Sequence, residues 1–221
     1  MKIKDKNIAF VINSNLRFYH ITIPKVIKSL KDCNVTDIKV IAGGWEKEFE
    51  ADCQDFTLYA TTYDSCDYTT FNYIVDNPDK FKDFDYIFYM HDTCWVGPNF
   101  LSNLIRLMPE EHPSSTMLLN GMSMNIGLYN IQHLIDNTDR VRQSKNTDNS
   151  LESINKWKQW GASHEDYLFG ARGFFCKTED MHLSNVFNTE VSRRTRYFED
   201  LDFYKSQSNW QGVKEQMNIS I

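Results

Sequence analysis

Residues 84–107 read FDYIFYMHDTCWVGPNFLSNLIRL. The run from Tyr86 to Met90 is unbroken apolar strand-formers, the pattern of a strand covered on both faces, and it stops abruptly at His91, Asp92 and Thr93. Gly97 and Pro98 then open a segment in which Phe100, Leu101, Leu104, Ile105 and Met108 recur at helical spacing, with Pro98 suited to a first helical position. Strand, acidic tip, loop and helix follow one another. Ligands of open α/β sheets bind outside the carboxyl ends of the strands, which makes this tip a natural place for a working carboxylate. The plain alternative is that Asp92 caps a turn.

Outward from this unit the same alternation repeats. Ile8 to Ile12 is a second apolar run, a central strand whose polar end at Asn13, Ser14 and Asn15 is a candidate ligand loop. After Thr22, Pro24 is expected to open a helix carrying Ile23, Val26, Ile27 and Leu30 on one face and closing near Cys33 and Asn34. Ile38 to Ala42 is the next strand, stopped by Gly43 and Gly44. Phe56 to Thr61 is a further strand, and Tyr68 to Val75 a helix ended by Asn77-Pro78. Strand, helix and strand in this order give a parallel crossover, so the fold class is α/β, a mostly parallel sheet flanked by helices.

The later chain is more polar. Thr116 to Leu119 reads as a short strand, and Asn120 to Asn125 as a turn leading into a second short strand at Ile126 to Tyr129, where Asn125 either lines a sugar pocket through its amide or belongs to a hairpin on the sheet edge. Residues 137–156 read as a polar loop or lid. Trp157 and Trp160 after it offer flat faces to a saccharide, or anchor the loop. Trp45, beside the two glycines, is placed to stack on a base or to pack its loop. Two acidic pairs are candidate bases, Glu165-Asp166 and Glu199-Asp200, the latter followed by Asp202. Either pair also fits helix N-terminal acids.

With 221 residues the chain is expected to form one domain spanning 1–221. A net charge of -6 and the lack of a basic run exclude a phosphate-neutralising nucleic-acid surface. Five cysteines without C-x-x-C spacing indicate neither a zinc site nor a disulfide framework, so a cytoplasmic setting is expected, either free or peripheral to a membrane. No run reaches the length of a transmembrane segment. P-loop, dinucleotide, zinc-protease and hydrolase signatures are missing.

Met90-His91-Asp92-Thr93 followed by Gly97-Pro98-Asn99-Phe100-Leu101 resembles family 2 glycosyltransferases of the GT-A fold, in their rhamnosyltransferase-like branch. Gly173-Phe174-Phe175-Cys176-Lys177, Phe187-Asn188-Thr189-Glu190 and Phe198-Glu199-Asp200-Leu201-Asp202 continue the resemblance, the last piece leading into a helix in that family. The resemblance implies a GT-A-like, Rossmann-type sheet and an inverting, metal-dependent transfer of a sugar from a nucleotide diphosphate to a hydroxyl of a glycan, lipid-linked or protein acceptor. It implies that Asp92 holds Mn²⁺ or Mg²⁺, that Asp200 is the base with Glu199 assisting and Glu165-Asp166 the rival pair, and that Asn72 lies on a donor-contacting helix. Arg194, with Arg193 and Arg196, offers a guanidinium for the diphosphate. His91, His164 and His182 offer imidazoles to substrate or metal. Two departures stand out: one Asp where two are usual, and Ala42-Gly43-Gly44 where an Asp usually contacts the base. They keep two other readings open, a non-catalytic carbohydrate- or nucleotide-binding module and a nucleotidyltransferase.

Overall fold

The apolar runs build the centre of the sheet. A computed structural model describes residues 1–108, 126–144, 178–181 and 195–206. A short β1 (Lys2–Ile3) turns back onto β2 (Lys6–Asn15), which leads through α1 (Tyr19–Asp32) to β3 (Ile38–Gly43). An antiparallel pair follows, β4 (Phe49–Asp52) and β5 (Thr57–Ala60), then α2 (Thr69–Asp76) and β6 (Tyr86–His91). Beyond it come β7 (Cys94–Val96), α3 (Phe100–Leu107), β8 (Gly127–Asn130), α4 (Ile131–Asp136) and α5 (Thr138–Arg142). The last described elements are β9 (Thr178–Met181), β10 (Thr195–Phe198) and β11 (Phe203–Ser206).

Strands β5, β3, β2 and β6 are parallel neighbours, with β4 and β8 antiparallel at the two edges. This is an α/β fold with a mostly parallel, Rossmann-type sheet. Alternation along each strand feeds two cores. Ile8, Phe10 and Ile12 of β2, Val40 of β3, and Phe88 and Met90 of β6 pack against Val26, Ile27 and Leu30 of α1 and Phe100 and Leu104 of α3. Ala9, Val11, Ile41, Ile87 and Tyr89 face the other way, onto Phe71 and Ile74 of α2, Ile131 and Leu134 of α4 and Val141 of α5. Both faces of the sheet are therefore covered, which is why the sequence reads as continuous apolar runs.

A second, antiparallel sheet in the order β7-β11-β10-β9 is attached beside β6. Phe198, Leu201 and Phe203 root it in the first core, all fully buried. Its turn, Glu199 to Asp202, is tied down by Asp202. The Asp202 carboxylate accepts from the backbone N–H of Asn99 at 2.8 Å, and its carbonyl accepts from the N–H of Gly97 at 2.8 Å.

Several boundaries differ from those expected. Helix α1 starts at Tyr19, so Pro24 lies inside it and deletes one backbone donor, a cost that its buried face offsets. Helix α3 starts at Phe100, leaving Pro98 in the loop before it. Residues 138–142 form α5 where a polar loop was expected, because Val141 is buried against α2. After Glu199-Asp200-Leu201-Asp202 the chain continues as strand β11, not helix, since Phe203 to Lys205 pair with β7. The expected strand at Thr116–Leu119 and the motif pieces 173–177 and 187–190 lie outside the described residues.

Gly97 has a specific reason to lack a side chain. A Cβ there would sit 2.2 Å from Asp202 Oδ1, pushing away the carboxylate that the Asn99 N–H holds. Gly97→Ala is expected to lower stability by about 1–3 kcal/mol, as overpacked sites do. Chemical denaturation should show that cost shrinking in an Asp202→Gly background, since Asp202 already adopts a φ of 54° that glycine accepts.

Candidate functional site

The strand order changes direction between β2 and β6. From β2 the chain moves through α1 to β3 on one side, and it later returns to place β6 on the other. The crevice outside the carboxyl ends of two such strands is where open α/β sheets hold ligands. Here those ends are Asn13-Ser14-Asn15 and His91-Asp92, with Asn13 opposite His91 in the pairing.

Each polar group at these tips is fixed from a different element. Asn13 Oδ1 accepts from the N–H and the hydroxyl of Thr70 on α2, at 3.1 and 2.8 Å. Asn15 Nδ2 donates to Asp64 at 3.0 Å. His91 Nε2 lies 3.7 Å from the Asp67 carboxylate, and Lys205 Nζ from β11 lies 2.9 Å from His91 Nδ1.

Asp92 is fully buried. Its Oδ2 accepts from Ser14 Oγ at 2.6 Å and from Thr22 Oγ1 at 3.0 Å, while Oδ1 is buried with no hydrogen-bond partner. Loss of hydration pushes its pKa up to about 8, the two hydroxyls pulling the other way and the nearby Asp67 adding repulsion. At neutral pH, without a bound cation, this carboxyl keeps its proton.

The other predicted residues fall in distinct places. Trp45 packs edge-on against Phe49, ring centres 4.8 Å apart, and tilted on Tyr19 at 5.6 Å, so its ring anchors the loop after β3 to α1 and β4. Gly43 is where the segment at Tyr63 crosses the tip of β3, and a Cβ would lie 2.3 Å from the Tyr63 carbonyl. Close approach of backbone accounts for glycine there. Asn72 is fully buried, donating to the Tyr68 carbonyl at 3.0 Å and to Ser144 Oγ at 2.9 Å, which ties α2 to the end of α5.

Glu199 and Asp200 occupy the turn between β10 and β11, where the Arg106 guanidinium donates to the Asp200 carbonyl at 3.3 Å. The register sets Phe203 opposite Val96 and Lys205 opposite Cys94, so the turn lies at the Gly97 end of β7 and Lys205 at the His91 end. Three residues of strand, about 10 Å, separate Asp202 from Lys205. The structure thus gathers Asn13, His91 and Asp92, and places Trp45, Asn72, Glu199 and Asp200 elsewhere. Asn125, Trp160, Glu165, Asp166 and Arg194 lie outside the described residues, as do Trp157, His164, His182 and Arg193.

Two members of the tip, Thr22 and Lys205, were not singled out from sequence. Thr22 and Val26 are four residues apart, so Thr22 shares the buried face of α1, a signal that was available. Lys205 carried no local signal, because a pairing across the chain brings it to His91. Among the described residues, no three His, Cys, Asp or Glu side chains form a metal-ligand group, and no helix is long and apolar enough to cross a membrane.

No family model, family 2 included, matches the chain, and no curated protein matches it. Among solved structures it is similar to a glycosyltransferase involved in the glycosylation of the major capsid of PBCV-1. That likeness has 10% identity and a TM-score of 0.36, over 76% of this chain and 92% of that one. A likeness this distant fixes neither family nor activity.

The raised pKa of Asp92 sets a pH dependence of stability. Between the unfolded carboxyl value near 4 and the folded value of about 8, the native state holds a proton that the unfolded chain has lost. The stability this contributes is full below about pH 4 and is lost as pH rises through about 8, by at most ~1.4 kcal/mol per pH unit. Thermal melts without divalent cation should fall from pH 5 to pH 9. Asp92→Asn, which mimics the neutral carboxyl, should flatten that slope.

Proposed function

We propose that this chain is a glycosyltransferase of GT-A-like architecture. It moves a sugar from a nucleotide diphosphate to an acceptor hydroxyl, with inversion and with help from a divalent cation. The observation that carries the reading is Asp92 at the β2–β6 switch point, with one buried carboxylate oxygen unpartnered. The motif resemblance around Asp92 supports the same reading.

The residues fit a cation of the Mg²⁺ or Mn²⁺ kind, which takes oxygen ligands and uses few protein carboxylates. Asp92 Oδ1 is an orphaned buried acceptor, and Asp67 is a second carboxylate near enough to repel it. These two would hold the ion. When bound, it supplies positive charge to the departing diphosphate.

In the transfer, the acceptor oxygen forms a bond to the anomeric carbon while the bond from that carbon to the diphosphate oxygen breaks. The electron pair leaves on the diphosphate, and the acceptor proton passes to a carboxylate. One displacement inverts the anomeric centre. Asn13 and His91 border the crevice and orient the donor. With Glu199 and Asp200 in the turn at the Gly97 end of β7, about 10 Å of strand from Lys205, the base role in this reading goes to the rival pair, Glu165-Asp166.

Calorimetric titration with UDP, GDP and dTDP, with and without Mn²⁺, tests the donor site. One nucleotide should bind with metal dependence and lose it in Asp92→Ala. Failure of a folded wild-type chain to bind any of them would remove the transferase reading and leave an interaction module. For the base, turnover should fall at least ~100-fold in Asp166→Asn and only a few-fold in Asp200→Asn, the range that loss of a general base produces. The reverse ranking would restore Asp200.

A further inference from the structure

Lys205 comes from the far end of the described chain, yet its ammonium reaches the tip of β6. It lies 114 residues from His91 in sequence and 2.9 Å from His91 Nδ1 in space. Its position is built in. Strand β11 pairs with both β7 and β10, Phe203 is fully buried two residues before, and Tyr204 stacks between Trp95 and Tyr197 with ring centres 5.3 and 4.6 Å away.

An ammonium has three donors, and among the described residues no carboxylate pairs with this one. In a chain of net charge -6, a half-buried lysine directed to an imidazole is unusual, because carboxylates are plentiful. The neighbouring acids have other partners: Asp64 accepts from Asn15, Asp67 faces the opposite side of the imidazole, and Asp92 is closed in by Ser14 and Thr22.

We propose that Lys205 is an anchor for the donor diphosphate, its ammonium donating to phosphate oxygens at the switch-point crevice beside His91. The inference rests on the transferase reading and adds a residue that neither the motifs nor the acidic tip indicates. Lysine serves phosphate as a compact point charge, and its worth rises where water is partly excluded. Its contribution does not require the divalent cation, so affinity for the bare phosphate group is its signature.

The test uses the full chain and sodium pyrophosphate in EDTA, by calorimetry. Wild type should bind, Lys205→Met should bind at least ~10-fold more weakly, and Lys205→Arg should recover part of the loss. Rising NaCl should weaken binding less steeply in Lys205→Met. A measurement on wild type alone guards against a misfolded variant: pyrophosphate should protect Lys205 from amine acylation, read by peptide mass spectrometry, while exposed Lys28 on α1 reacts equally in both conditions. If Lys205→Met binds pyrophosphate as wild type does, and Lys205 is not protected, the anchor is overturned while the transferase reading stands. If folded wild type binds neither pyrophosphate nor any nucleotide with Mn²⁺, both fall together.

Discussion

The parallel pairing of β2 with β6 is the constraint on which the rest depends. It runs from Ile8 opposite Tyr86 to Asn13 opposite His91 and joins segments nearly eighty residues apart. Because helices cover both faces, almost every side chain along the two strands must be apolar, and the pairing ends where both turn polar together. The same register that fills the two cores therefore delivers Asn13, Ser14, His91 and Asp92 to one place. Asp92 N–H extends the ladder by donating to the Asn13 carbonyl at 3.1 Å, so the acid is seated by the sheet itself.

Much of the central sheet was legible because burial on both faces leaves an unambiguous pattern. Residues 8–12, 38–42 and 86–90 are runs that only a covered strand explains, and Asn77-Pro78 stops α2 as its chemistry requires. The edges were less readable. Strand β4 has Phe49 and Glu50 exposed and only four residues, so its alternation is weak, and β7 has three residues, too few for any periodicity. Residues 203–206 follow an acid pair that suggests a helix start. They are held as a strand by β7, a partner far away in sequence, which no local propensity reports.

The site divides along the same line. His91 and Asp92 announce themselves because polarity breaks an apolar run. Asn72, expected on a donor-contacting helix, is buried and donates to Ser144 Oγ, a bridging use that its place in the sequence does not reveal. Glu199 and Asp200 look like a catalytic pair by composition. In the structure it is Asp202 that has a defined task in that cluster, holding the Asn99 N–H and accepting from the Tyr197 hydroxyl at 3.3 Å. Lys205 illustrates the opposite case, a residue with no local mark that topology brings to the centre.

The attachment of the second sheet also orders events during synthesis. Both strands whose tips meet at Asn13 and His91 have emerged once the chain reaches Asp92. The lysine beside them comes from β11, whose pairing with β7 closes a loop of more than a hundred residues, the kind of non-local contact that forms late. A nascent chain thus carries Asp92 long before the basic group that comes to lie beside His91. The ammonium is the last group to arrive, so a chain interrupted before β11 would keep the pairing of β2 with β6 but lack the lysine beside His91.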